Sequence, residues 1–295
     1  MGMQPMWRSL PNGMLVSVLA LAVWASCTAD VPVGPTDGTG PIAEYFQGHQ
    51  DLYADACPGA PTPLDVGGSV SARLYRGPGV ADVDLVKTTS RIDGFFRRYG
   101  ITFSTMSPPS EVRHRTIIGG SVSEMERALA EADVGASSPE GRLISAGIVY
   151  RDLRAFLKTH ALPSRSEIDI VLLDDIARSD SVALAVVGDF AGLAFSPELV
   201  RMAKDSDPIL VAALGIDGDF TPTVFLSASR LSRMPDLEAT VVIAHDIAHA
   251  MGLSHDPRTW NLMYESRVSC LPGLAPDQVE QIKSSRTIRH GQMEH

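Results

Sequence analysis

Apolar residues along the chain recur with two different periods, and the switches between them predict alternating strands and helices. Val70–Tyr75 and Ile101–Ser104 are short runs rich in β-branched and aromatic residues and read as two strands. Between them, Asp82–Tyr99 carries Leu85, Ile92, Phe96 and Tyr99 at helical spacing, which predicts a helix with one buried face. Ile168–Leu173, Ala191–Ser196 and Thr223–Ser227 supply a third, fourth and fifth strand. Residues 107–160 have little strand signal. Ser121–Ala132, opened by a Ser-x-x-Glu capping box, and Ser145–Thr159 read as helices, so about 107–160 is expected to be a helical insertion. A last helix follows the fifth strand, with Asp236 after Pro235 as its expected N-cap, Glu238 favouring the positive end of the dipole, and Leu237, Val241, Ala244, Ala248 and Met251 as its apolar stripe. The expected fold class is α/β (α+β).

Two segments fall outside this pattern. Met14–Ala25 is an uninterrupted apolar run after Arg8, closed by small residues and too short to span a membrane, which is the layout of a secretory leader over residues 1–26. Trp24-Ala25-Ser26-Cys27 resembles a bacterial lipobox, which implies lipidation at Cys27; Trp24 departs from the aliphatic residue usual there, and ordinary cleavage nearby is the competing reading. Residues 27–64 are rich in Pro, Gly, Asp and Thr and read as a flexible tether to a domain at 65–295. The location expected is secreted or cell-envelope, with a lipid anchor as the single tie to a membrane.

Charge and cysteines narrow the partners. The formal net charge is −10, and loss of residues 1–26 removes one basic residue and no acidic one. Such an acidic chain has no electrostatic footprint for nucleic acid. Of 3 cysteines, Cys27 would go to lipid, leaving Cys57 and Cys270 as a candidate disulfide in an oxidising compartment or as two free thiols. A monomer is expected.

The chemistry concentrates at 245–256, His-Asp-Ile-Ala-His-Ala-Met-Gly-Leu-Ser-His-Asp. On a helix His245 and His249 lie at i and i+4 and project from one face. Gly252 can end that helix in a left-handed conformation and let the chain bring His255 round as a third ligand. Three neutral imidazoles suit Zn²⁺ and leave a fourth position open, as in catalytic zinc sites. Asp217-Gly218-Asp219 and Asp174-Asp175 are short acidic pairs that read as solvated loops, and no calcium is expected. His114, His160, His290 and His295 lack partners at ligand spacing and read as surface residues.

This stretch resembles the metzincin zinc peptidases, whose pattern is HExxHxxGxxH followed by a methionine turn. Asn261-Leu262-Met263-Tyr264 looks like that turn. Tyrosine directly after methionine is closer to the matrixin-like branch, whereas Asp256 after the third histidine is similar to the adamalysin group. The resemblance implies a zincin fold, a twisted mixed sheet over an active-site helix, with Met263 as an apolar floor beneath the imidazoles and a peptide or protein substrate. It also implies that Gly192, Leu193, Ala194 and Phe195 form an edge strand along which an extended substrate adds. Cys57 as an inhibitory zinc ligand, as in matrixin pro-segments, lacks the rest of that motif. One departure stands out: Asp246 occupies the place of the general-base glutamate and is one methylene shorter. A binding protein that keeps zinc without catalysis is therefore an alternative. An HD-type phosphohydrolase fits less well, because those are all-helical and this chain has strand signals directly before the motif.

Overall fold

The computed structural model describes residues 56–113, 116, 122–133, 155–157, 167–176, 191–198, 201, 220–264 and 270–290. The expected leader, Cys27, Ser121, most of the expected 145–159 helix, Asp217–Asp219, His114, His160 and His295 lie outside them.

Strand β1 (Gly68–Arg76) leads to helix α1 (Asp82–Phe96), which tightens into a 3₁₀ turn at Arg97–Tyr99. Then come β2 (Ile101–Glu111), α2 (Val122–Ala132), β3 (Ile168–Leu173), β4 (Gly192–Phe195), β5 (Thr223–Ser227), α3 (Ala228–Leu231), α4 (Asp236–Ala250) and α5 (Pro276–Lys283). The strands form one mixed sheet in the order β2-β1-β3-β5-β4. All neighbours are parallel except β4, which runs antiparallel to β5 at the end of the sheet.

Two sequence expectations shift here. Strand β2 continues to Glu111, so residues 107–111 belong to the sheet and not to a helical insertion. Its pairing passes from Arg73↔Met106 to Tyr75↔Ser110, so two steps along β1 match four along β2, and Pro108 and Pro109 fall in the interval. Proline has no N–H to give a ladder, and the irregularity hides the strand from periodicity. Helix α4 begins one residue earlier than expected: Pro235 is its N-cap, with φ −53 and ψ 147, and makes no side-chain cap bond. The Asp236 carboxylate instead accepts from Arg91 Nη2 at 2.6 Å, pinning α4 to α1. Arg91 is buried, so this pair fixes the angle between the two helices.

Strands β3 and β5 are buried along their whole length, as expected of central parallel strands covered on both faces. Val224, Leu226, Ile168, Ile170 and Leu172 share one core with Ile92 and Phe96 of α1 and with Ile243, Ala244, Ile247 and Ala248 of α4. On the opposite face Phe225 meets the rings of Phe156 and Phe195 at 5.2 and 6.3 Å.

The first described residues are pinned to the domain although their composition reads as tether. Cys57 is disulfide-bonded to Cys270, and its N–H donates to Leu271 O at 2.9 Å. Next to it the Trp260 ring lies against Gly59, with Cδ1 3.2 Å from where a Cβ would stand. Residues 56–60 are therefore part of the wall behind the methionine-containing turn.

Candidate metal centre

Helix α4 lies against α1, β4 and β5. Its apolar stripe buries Ala244 and Ala248 completely, and this orientation carries His245 and His249, one turn apart, with ring centroids 4.6 Å from each other. The helix ends at Met251, and Gly252 takes φ +98, a conformation a side chain would strain. Leu253 N–H then returns to Ala248 O at 3.0 Å and Gly252 N–H to His249 O at 2.9 Å, closing the helix end with reversed bonds. The turn brings the His255 ring to 4.7 Å from His249 and 5.3 Å from His245. One nitrogen from each of the three histidines lies within 4.8 Å of the other two. Among the described residues this is the one such group of three or more ligand-type side chains.

Hydrogen bonds fix which nitrogens face inward. His245 Nδ1 lies 2.8 Å from Leu262 O, and His249 Nδ1 lies 2.7 Å from Leu253 O. A carbonyl only accepts, so each Nδ1 carries the proton and each Nε2 presents a lone pair to the centre. His249 Nε2 and His255 Nε2 approach to 3.1 Å, and His245 Nε2 is buried without a hydrogen-bond partner. Leaving such a group unsatisfied costs about 1–3 kcal/mol. A tetrahedral zinc with bonds of about 2.0–2.1 Å holds its nitrogens about 3.3 Å apart, close to the 3.1 Å between His249 and His255, and His245 offers its lone pair within 4.8 Å of both.

Electrostatics agree with that fit. Burial, and then the neighbouring His255, lowers the His245 pKa to about 4, against a smaller opposing effect of the Leu262 carbonyl. Burial and both neighbouring imidazoles hold His249 well below its ordinary value. His245 and His249 are therefore neutral at physiological pH, the form that binds metal. Asp246 is 3% exposed, and burial pushes its carboxyl well above the usual range. Its Oδ2 has no hydrogen-bond partner and lies against Gly192 of β4.

The segment after the histidines braces them from below. Met263 is fully buried in the main core, while Tyr264 is half-buried. Met263 O accepts from Asp256 N at 2.8 Å, tying the turn to the segment that carries His255. The Asp256 carboxylate is held by Arg258 Nε at 2.7 Å, a bond that lowers its pKa. Asn261, also fully buried, takes the Met263 N–H on Oδ1 at 2.8 Å and donates Nδ2 to Gln278 Oε1 at 2.8 Å. Gln278 Oε1 accepts Ala275 N–H as well, at 3.0 Å, and Gln281 of the same helix donates to Gly252 O at 2.8 Å. Helix α5 thus braces both the turn and the helix end, a support that sequence reading missed. The available signal was a polar residue directly before Leu-Met-Tyr and two glutamines on a short amphipathic helix.

The remaining candidates separate from this centre. In β4, Leu193 and Phe195 are buried and Ala194 is partly so. The Asp175 carboxylate is taken by Arg230 at 2.9 and 3.3 Å and by Ser227 Oγ at 3.1 Å, which ties the segment after β3 to the end of β5 and to α3. His290 is exposed and lies 2.9 Å from Lys283 O.

No protein-family model matches the chain, and no curated protein matches it. Among solved structures it is similar to metalloproteinase-II from Bacteroides fragilis, at 14% identity and a TM-score of 0.34, over 80% of this chain and 58% of that one. It is similar to archaemetzincin from Methanopyrus kandleri at 12% identity and a TM-score of 0.36, over 76% of this chain and 97% of that one. A zinc-dependent peptidase from Methanocorpusculum labreanum matches at 12% identity and a TM-score of 0.31, over 75% of this chain and 96% of that one. The chain thus spans less than two thirds of the Bacteroides protein's length.

Proposed function

We propose that this chain is a zinc-dependent endopeptidase of metzincin type. The observation that carries the reading is the convergence of inward-facing nitrogens from His245, His249 and His255 beside the buried carboxyl of Asp246. Zinc bound there would supply Lewis acidity, favouring loss of a proton from water and polarising a substrate carbonyl. Asp246 takes the proton of the attacking water and passes it to the departing amine, which requires an oxygen within about 2.6–3.2 Å of each in turn. The dry surroundings of Asp246 raise the proton affinity of its carboxyl above that of an ordinary carboxylate, the direction that favours a general base. The Leu262 and Leu253 carbonyls hold the two helix imidazoles in the ligating tautomer throughout. An extended peptide lies beside β4, the end strand of the sheet, with Gly192, Leu193, Ala194 and Phe195 as its neighbours. The leader at Met14–Ala25 and a lipid on Cys27 would deliver the enzyme to the cell envelope.

The test pairs metal analysis with peptide cleavage by parent, His249→Ala and Asp246→Asn proteins. One zinc per chain in the parent and in Asp246→Asn, none in His249→Ala, and cleavage by the parent alone are the expected results. A second reading, a zinc-holding binding protein, is favoured by the shorter carboxylate at Asp246. It is the outcome if the parent holds zinc and cleaves no faster than Asp246→Asn. Absence of stoichiometric metal in the parent overturns both.

A further inference from the structure

Gly192 has no conformational need to be glycine, since its φ lies outside the left-handed region. What excludes a side chain is space. A Cβ at this position would stand 2.8 Å from Asp246 Cγ, closer still to Asp246 Oδ2, and 3.2 Å from Leu226 Cδ2. Neither side of the gap can retreat freely. Gly192 is paired with Leu226 in the β4–β5 ladder, and the adjacent Ala191 O accepts Ser227 N–H at 2.9 Å. Helix α4 is held by Arg91 at its start, by the His245–Leu262 bond within it, and by Gln281 on the Gly252 carbonyl just past its end. The Asp246 carboxyl, with no hydrogen bond on Oδ2, is held there by shape.

We propose that Gly192 is a positioning residue whose missing side chain forms a seat sized for the carboxyl of Asp246. This rests on the peptidase reading, in which that carboxyl moves the proton. Gly192→Ala and Asp246→Glu insert one carbon into the same gap from opposite sides, and each must displace the carboxyl. A displacement of about 1 Å from a productive position costs on the order of 10²-fold in rate. The shorter acid is therefore fitted to its site, and lengthening it does not improve the enzyme.

A double-variant cycle tests the seat without reference to activity. Gly192→Ala should lower Tm by about 5 °C in the parent and by less than about 1 °C in an Asp246→Ala background, where the obstructing carboxyl is gone. If Gly192→Ala alone fails to fold, recovery of the fold in the double variant is the same result. In the kinetic arm, Gly192→Ala and Asp246→Glu should each lose about 100-fold or more in kcat with zinc retained at one per chain, and Asp246→Glu, which leaves the substrate strand untouched, should keep KM within about twofold. Equal Tm changes in both backgrounds, or a higher kcat for Asp246→Glu, overturn the proposal. A parent that cleaves nothing overturns the peptidase reading instead, and the Tm cycle still decides whether Gly192 seats Asp246.

Discussion

The two sides of the metal centre are held by different means. On the ligand side, His245 and His249 each give a ring proton to a backbone carbonyl, and the turn that supplies one of those carbonyls is bonded through Asn261 to Gln278. On the carboxyl side, Asp246 Oδ2 makes no hydrogen bond and is confined by Gly192. Ligands need direction, because an imidazole lone pair is useful along one line only, and hydrogen bonds provide direction. A base that accepts and releases a proton is served by confinement, since each fixed hydrogen bond to its charged form would lower its affinity for the proton.

Perturbing each side separately should give different signatures. The largest effect is expected for His249→Ala, which removes a ligand while leaving a folded helix; zinc binding should fall by on the order of 10³-fold or more in a chelator competition, and retention of stoichiometric zinc would break the ligand assignment. Asp246→Asn preserves shape and removes the base of the proposed peptidase reaction, so kcat should drop by about 10²–10⁴-fold with zinc content unchanged. Cys57→Ser acts behind both sides: opening a covalent loop with a sequence separation of 213 should cost about 2–5 kcal/mol, read as a lower denaturation midpoint by urea titration. Asn261→Ala attacks the ligand side alone and should weaken zinc by about 10–100-fold; if it lowers kcat at saturating zinc instead, the division between the two sides is wrong.

The smallest effect is the pH dependence of the metal-free protein, where the two sides carry opposite signs. The folded pKa of His245 lies near 4 and its ordinary value is 6.5, so the unfolded chain takes up the proton first. Stability therefore falls as pH drops from 6.5 toward 4, and His249 adds in the same direction. Asp246 is raised, so its burial costs stability as pH rises above the ordinary carboxyl range. Asp246→Asn should accordingly raise the Tm of chelator-treated protein near about pH 7, with the gain shrinking toward about pH 4. A constant gain across that range would show that charge burial is not the cause.

Much of this centre is legible in the sequence because its parts are local. His245, His249, Gly252 and His255 sit within 11 residues, and helical geometry plus one left-handed residue determines their convergence. The strands are legible where alternation or β-branched runs are regular, as in β1, β3 and β5. Strand β2 is legible only as far as Ser104, because the irregular pairing around Pro108 and Pro109 destroys the period on which recognition depends. The carbonyls of Leu253 and Leu262 are invisible for another reason: every residue has one, and their use is decided by where the chain turns. Gln278 and Gly192 act across long separations in sequence, 17 residues to Asn261 and 54 to Asp246, with nothing local to mark the partnership. The cap of α4 moved from Asp236 to Pro235 because Arg91, far upstream, claims the aspartate.

The domain is also closed by its extremities. Ser69, at the start of the sheet, exchanges backbone hydrogen bonds of 3.0 and 2.8 Å with Arg289, and Ala56 pairs with Leu271. During vectorial synthesis β1 meets β2 early, but Ser69 waits for its Arg289 partner, more than 200 residues behind it. Gln278, which supports the Asn261–Tyr264 turn against His245, also emerges late. A ribosome-stalled or C-terminally clipped chain should therefore hold its three histidines without holding them in place, so that the metal site matures only when the last segment docks.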